Sequence, residues 1–191
     1  MRVIQFKIEF RGLNLPISRT FTEWENALLH DLHKTIQWVL GYSGKHLYDF
    51  IIDETVFTRD EFQENFNSIV DTGSIKLIQF NFVEGDDFRY YYDYEDEWEF
   101  LLTVQKIYEA DDETVCPHIV GAENGIPPEN CGGVEVVNAV ILNKIEEIES
   151  DNAEAIRSSI YAIPEIEKEN ESLLERKSEV ITGLNNKNFF V

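Results

Sequence analysis

The chain has 191 residues, with 37 Asp and Glu against 16 Lys and Arg, and a formal net charge of −21 at pH 7. A chain of this length can fold without a metal ion or a disulfide, and its 13 Phe, 8 Tyr and 3 Trp exclude extensive disorder. The negative charge opposes contact with phosphate backbones and anionic lipids, so neither direct nucleic-acid binding nor membrane binding is expected.

The first predicted element is a strand, because residues 4–10 alternate between apolar and polar side chains. Residues 16–24 allow two interpretations. Thr22 and Glu25 have the spacing of a capping box, which would begin a helix, whereas the alternation around Phe21 favours a second strand. An apolar stripe at helical spacing then predicts a helix over residues 27–40, with Gly41 just beyond its end.

Strands dominate the predicted middle of the chain, with one short helix expected at residues 58–70. The predicted strands are residues 46–53, 75–83, 88–94 and 98–108. The last two are expected to be adjacent and antiparallel, because only a short acidic segment separates them.

The region after the last of these strands lacks periodicity. Residues 111–133 contain three Pro and four Gly, and a loop of such length in a compact domain is often functional. An amphipathic helix is predicted at residues 134–148, then a polar hinge at 150–154, and then a charged helix interrupted at Pro164. We therefore expect an α+β domain over residues 1–150, with residues 151–191 as its charged C-terminal helical extension.

The cysteine count and the polarity pattern of the first residues indicate the cellular compartment of the protein. Cys116 and Cys131 are too few for the disulfide framework of a small secreted domain. The first residues alternate in polarity and lack the apolar region of a signal peptide, and no long apolar stretch predicts a transmembrane helix. A cytoplasmic protein with reduced thiols is expected, and its oligomeric state stays open.

Three blocks of residues resemble the motifs of one family. They are LHKTIQ at 32–37 with Gly41 and HLYDF at 46–50, YYYDYEDEW at 90–98, and PPENCGG at 127–133. In this order they resemble the signatures of the Ri-plasmid open-reading-frame-three-like family, which includes passenger proteins of insertion elements. The resemblance implies an α+β roll, in which helices pack on a curved, mainly antiparallel sheet. It also favours a strand at residues 16–24, and it implies no particular reaction.

The chain departs from the family pattern at three positions. Glu95 stands where the family has Gly, Glu99 where it has His, and Asn130 where it usually has Asp. A shared site built on these positions would be incomplete here. If the Gly marks a turn instead, Glu95 would occupy it under strain.

The three blocks are expected to meet in space. The helix at 27–40 must bury its apolar stripe against the aromatic strands, and the 127–133 loop must return to the same sheet. The candidate cleft that results is formed by His33, Gln37, His46, Tyr92, Asp93, Asp96, Trp98 and Glu129. In this arrangement the motif residues act mainly as structural clamps around a cleft.

Two further groups of residues were weighed for chemistry. Asp93, Glu95, Glu97 and Glu99 would share one face if they lay on a strand, which suits acid–base work or a hard cation, although a solvated strand face and turn is the commoner explanation. The other group, Cys116, His118 and Cys131, offers zinc-ligand side chains at a spacing that matches no standard zinc finger. No metal or cofactor is therefore predicted.

The sequence favours a non-enzymatic interaction or accessory module associated with mobile elements, with another protein as its partner. The alternative is a metal-dependent hydrolase or other enzyme that uses the acidic cluster and the 116–133 loop. A third hypothesis, stacking of nucleic-acid bases on the aromatic residues at 90–98, is opposed by the interleaved acids.

Overall fold

The structure is a computed structural model that describes residues 1–59, 69–144 and 148–187. Its strands are β1 (Arg2–Phe10), β2 (Ser18–Trp24), β3 (Tyr48–Ile52), β4 (Thr55–Thr58), β5 (Ile69–Asp71), β6 (Asp87–Tyr92), β7 (Trp98–Glu109) and β8 (His118–Glu123). Its helices are α1 (Leu29–Leu40), α2 (Gly133–Ile141), α3 (Ser150–Ile160) and α4 (Ile166–Lys187), with a short 3-10 helix at Leu77–Phe80.

The described strands form one sheet of eight, in the order β5-β4-β3-β6-β7-β1-β2-β8. Every neighbouring pair is antiparallel except β4 and β5, which are parallel. With helices packed on this sheet and a helical segment at the C-terminal end, the predicted α+β class is confirmed. The strand predicted at residues 16–24 and the antiparallel pair of β6 and β7 are confirmed as well.

The core lies between the sheet and α1. The alternating face of β1 is buried as predicted, and Phe6 at its centre packs against the rings of Phe21, Phe82 and Phe88. The apolar stripe of α1, including Leu32, is fully buried, and burial of each such side chain contributes about 1.5–3 kcal/mol. The helix ends at Gly41, whose φ of 76° is the left-handed conformation that this position favours.

The helices beyond residue 150 contribute to the same core, since Ile156, Ile160 and Leu173 are fully buried. Polar contacts also fix α4 to the sheet. The buried Arg19 on β2 forms a two-point ion pair with Glu169, at 2.9 and 3.1 Å. No helix of the described residues is long and apolar enough to cross a membrane.

Two predicted elements of the central region are wrong. Residues 75–83 are not a strand: Lys76 forms only an isolated bridge with Leu28, and a 3-10 helix follows it. The buried side chains there are Leu77 and Phe82, a spacing that does not alternate. The long loop predicted at 111–133 contains β8, whose alternation is broken by a register shift opposite Thr20.

The helical predictions near the C-terminal end also need correction. The helix predicted at 134–148 ends at Ile141, and residues 145–147 lie outside the described part of the chain. The predicted hinge at 150–154 is the first turn of α3, where Ala153 is buried. The helix break at Pro164 is confirmed. The helix predicted at 58–70 falls mostly outside the described residues, and its ends belong to β4 and β5.

Candidate functional site

The three motif blocks come together where α1, the 41–46 segment, β6 and the 127–133 loop meet. Block one contacts block two through His33 and Tyr90, whose Nδ1 and hydroxyl oxygen lie 2.8 Å apart. Block two contacts block three through Tyr92, which donates a 2.6 Å hydrogen bond to Glu129. The geometry therefore places most of the candidate cleft residues in one neighbourhood.

A buried hydroxyl joins the helix to the sheet. Tyr90 is fully buried, and its oxygen lies 2.8 Å from both His33 Nδ1 and the Gln37 Nε2 that donates to it. Because positions 33 and 37 are one helical turn apart, both side chains leave the same face of α1. Since the Tyr90 hydroxyl accepts from Gln37, it donates its single proton to Nδ1 of His33. The imidazole therefore carries its own proton on Nε2.

Burial keeps this network neutral. It lowers the pKa of His33 to about 3, with further lowering from His30, Lys34 and Arg59, and it raises the pKa of Tyr90 well above its usual range. At neutral pH neither side chain carries a charge.

A second hydroxyl continues the polar layer. Tyr48 lies under His33 with the two rings nearly parallel and their centres 3.6 Å apart. Its hydroxyl is 2.8 Å from both His30 Nδ1 and the Thr72 hydroxyl. Burial lowers the pKa of His30 to about 4 and raises that of Tyr48 to about 12. This part of the layer is neutral too.

Glu129 anchors the third block. Its carboxylate accepts hydrogen bonds from the Ser43 backbone at 2.8 Å, the Ser43 hydroxyl at 3.0 Å and the Tyr92 hydroxyl at 2.6 Å. His46 lies beside it, with Nε2 4.0 Å from Glu129 and Nδ1 3.4 Å from the buried Asp93. One imidazole therefore stands between carboxylates from two different blocks.

The acidic run is a turn and not a strand face. Because β6 ends at Tyr92 and β7 begins at Trp98, the intervening acids do not alternate across a sheet, and the shared strand face considered for acid–base work or a hard cation does not form. Positive φ angles fall on Asp93 (60°) and Glu97 (51°), so the strain expected at Glu95 is absent. The Asp93 carboxylate instead accepts the backbone N–H of Glu95 at 3.1 Å and stabilises the turn.

The two remaining residues of the candidate cleft, Asp96 and Trp98, take part in loop contacts and in core packing. Asp96 accepts a 3.2 Å hydrogen bond from the Gly132 backbone, and a Cβ at Gly133 would lie 2.3 Å from the Asp96 carbonyl oxygen. The two glycines therefore let the loop pass close to the turn. Trp98 is buried against Phe10, with ring centres 5.3 Å apart, and belongs to the core.

The candidate zinc ligands do not form a metal centre. They are Cys116, His118 and Cys131. Cys116 is buried with its Sγ 3.4 Å from the Thr22 hydroxyl, and His118 is exposed on β8. Burial raises the pKa of the Cys131 thiol to about 11 and also raises that of Cys116. Within the described part of the chain, no three His, Cys, Asp or Glu side chains converge to hold a metal ion.

A cavity of about 610 Å³ opens beside the polar layer. Its walls include His30, His33, Gln37, Trp38, Ser43, Glu129 and Arg176. A second cavity, of about 400 Å³, adjoins it and shares Trp38, Gly41 and Arg176. Together the two form one groove along α1, lined by residues from His30 to Leu40.

Sequence reasoning missed several of these residues. His30, Tyr48 and Tyr90 form the polar layer, and the three-residue spacing of His30 and His33 on a helix was the available signal. Arg176 was out of reach, because no local pattern links a charged C-terminal helix to a cavity beside α1.

Comparisons with known proteins agree with the motif resemblance. The chain is 28% identical over 132 residues to the uncharacterised protein y4hQ of Sinorhizobium fredii, which covers 69% of this chain and 67% of that protein. The crystal structure of MM3350, a protein of unknown function from Methanosarcina mazei Go1, has the same fold, with a TM-score of 0.71 at 20% identity. That match covers 87% of this chain and 97% of the other. Because the family model for plasmid pRiA4b ORF-3-like proteins matches residues 2–168, the chain belongs to that family.

Proposed function

We propose that this chain is a non-enzymatic interaction module that binds an extended, acidic segment of another protein in the groove along α1. The observation that carries the proposal is Arg176, a half-buried cation at the junction of the two cavities. Among the described residues it has no hydrogen-bond or ion-pair partner, in a chain with more than twice as many acids as bases.

The shape and lining of the groove support a peptide ligand. Two adjoining cavities of about 610 and 400 Å³ suit an extended chain better than a compact small molecule. The half-buried Trp38 faces both of them together with Arg176, and Trp and Arg are the side chains that most often dominate binding energy at interfaces. Lys34, also in the wall, is paired with Asp31 at 3.2 Å, which leaves Arg176 as the group for a partner carboxylate.

The chemistry of the site favours binding over catalysis. A general base works best with a pKa near the operating pH, whereas burial holds the pKa of His33 near 3 and that of His30 near 4. The Ser43 hydroxyl donates to the Glu129 carboxylate, and among the described residues no histidine accepts its proton. Both thiols have raised pKa values, which weakens them as nucleophiles.

Panning a phage-displayed library of random peptides on the full chain tests the proposal. We expect enrichment of peptides that contain an acidic residue and that lose binding to an Arg176→Glu variant. Arg89→Glu is the matched control, since Arg89 is exposed on β6 and does not line the groove. Failure to enrich any peptide, or equal binding to the Arg176→Glu variant, would refute the proposal.

The enzymatic alternative has one observation in its favour, the position of His46 between Asp93 and Glu129. Turnover of p-nitrophenyl esters or phosphates, with and without added Zn²⁺ or Mn²⁺, tests it. Activity that His46→Gln abolishes while the fold is retained would establish the enzyme and displace the binding module.

The proposal extends to the setting of the module, as a cytoplasmic accessory of a mobile element. Support comes from the family description, which names a plasmid, and from two cysteines that are unpaired. Fractionation of the source cells should recover the protein with cytoplasmic markers, and recovery with an extracellular fraction would contradict the placement.

A further inference from the structure

We propose that the inner wall of the 610 Å³ cavity recognises a side-chain carboxamide, that of Asn or Gln, on the bound protein segment. This inference rests on the proposed function and names the chemistry of one of its contacts. The recognising groups are the Nε2–H of His33 and the Oε1 of Gln37, and both residues line this cavity.

The first supporting observation is an unpartnered buried oxygen. Gln37 is only 2% exposed, and its amide nitrogen is fixed on Tyr90 at 2.8 Å. Its Oε1 is buried and has no hydrogen-bond partner among the described residues. A buried polar atom without a partner destabilises the folded protein, and native proteins keep few of them. A ligand that supplies one donor at this point would remove that cost.

The second observation is the donor beside it. Because Tyr90 donates to Nδ1 of His33, the Nε2 of the same ring carries a proton. The described residues provide no acceptor for that proton.

Gly44, which has no side chain, lies against the His33 imidazole and the aliphatic part of the Gln37 side chain. A Cβ there would stand 3.5 Å from Cγ of Gln37 and 4.0 Å from Nε2 of His33. A side chain at this position would fill the space beside Nε2 of His33 and the Gln37 side chain.

One neutral donor and one neutral acceptor are complementary to a carboxamide, which offers an acceptor oxygen and a donor nitrogen in one plane. A carboxylate would place an oxygen against the Gln37 oxygen without a proton between them. An ammonium group would place N–H against the His33 N–H. Reversing the Gln37 amide exchanges the two roles and still leaves one donor and one acceptor, so the complementarity does not depend on that assignment.

The test uses three probes that share a backbone: the N-acetyl, N-methylamide derivatives of Gln, Glu and Met. Binding to the full chain is followed by the ¹⁵N resonance of the His33 imidazole Nε2 and by backbone amide shifts. We expect saturable binding of the Gln probe, with the Glu and Met probes binding roughly tenfold or more weakly, the effect of one lost buried hydrogen bond.

Variants separate recognition from folding. Gln37→Met keeps the length of the side chain and removes the acceptor, so it should weaken the Gln probe roughly tenfold and leave the Met probe unchanged. Gln105→Met, the same change at an exposed position on β7 outside the cavity, should leave the preference intact.

Equal binding of the three probes, no binding of the Gln probe, or an unchanged preference in a folded Gln37→Met variant would overturn the inference. The outcome is distinct from the peptide-library result. Peptides that depend on Arg176 but contain no required Asn or Gln would overturn the carboxamide contact and leave the interaction module standing. If no peptide depends on Arg176, the module itself is refuted.

Discussion

The buried histidine of the polar layer predicts a specific loss of stability in mild acid. In the unfolded chain His33 has the ordinary pKa of 6.5, whereas burial lowers its pKa to about 3 in the folded protein. Between these values the unfolded chain binds more protons, so the free energy of unfolding falls as the pH falls through 6.5. The contribution of the neutral imidazole is complete only above that pH.

The size of the effect follows from the two pKa values. At pH 5 the solution lies 1.5 units below the unfolded pKa of 6.5 and still above the folded pKa. Each unit corresponds to 1.36 kcal/mol, so His33 alone should account for a loss of about 2 kcal/mol between pH 7.5 and pH 5. His30 is half exposed, and solvent screening should make its share smaller.

Urea unfolding of the wild type and of a His33→Gln variant at several pH values measures this share. Other titrating groups remain in both proteins, including the buried Glu23, whose pKa is raised and whose contribution has the opposite sign. The difference between the two curves therefore isolates His33, and His30→Gln serves as the matched control. Parallel curves for wild type and His33→Gln between pH 7.5 and 5 would refute the reasoning.

Four further outcomes are expected. Glu169→Ala leaves the buried Arg19 without its partner and should lower the free energy of unfolding by about 2–3 kcal/mol. Glu167→Ala, exposed on the same helix, should change it by less than about 0.5 kcal/mol in the same chemical denaturation, and equal effects would contradict the ion-pair argument. Gly133→Ala, at φ 72° and against a backbone carbonyl, should lower the melting temperature more than Gly41→Ala, at φ 76° in open space; equal shifts would show that the close approach is unimportant. Both buried cysteines should react slowly with a thiol reagent in the native protein and fully once it is unfolded, whereas an unfolded chain without free thiols would contradict the unpaired state. A gel-shift assay at physiological salt should detect no tight binding to duplex DNA, and salt-sensitive binding below micromolar concentration would contradict the charge argument.

Local patterns predicted the elements in which one face alone is buried. The alternation in β1 and the apolar stripe of α1 each reflect a single buried face, and Gly41 marks the helix end by its conformational freedom. The pattern failed at β8, where the register shift beside Gly121 interrupts the alternation that identifies a strand. In the acidic run the alternating charges were compatible with a strand face as well as with a turn, and the chain reverses there.

The candidate site was predicted in its location better than in its contacts. His33 and Gln37 share a helix face by their spacing alone, which sequence can show. Their partner is Tyr90 and not Tyr92, and that choice depends on how β6 lies beneath α1. Arg176 enters the groove because the ion pair of Arg19 holds α4 against the sheet, a tertiary effect without a local signature.

The position of Asn170 on α4 has a consequence for the behaviour of the whole sheet. Its side-chain amide accepts the backbone N–H of Ile119 at 2.7 Å and donates to the carbonyl of the same residue at 2.9 Å, as a neighbouring strand would. Lys177, two helical turns further along α4, donates a hydrogen bond from its Nζ to the backbone carbonyl of Cys116 at 2.6 Å. The outer edge of β8 is thus occupied at Ile119 from within the chain, and a strand of another molecule cannot pair with that residue while α4 stays in place. These two side chains lie beyond residue 168, where the family match ends. Loss of α4 would therefore expose the backbone of Ile119, on the edge strand of the sheet, to pairing with another molecule.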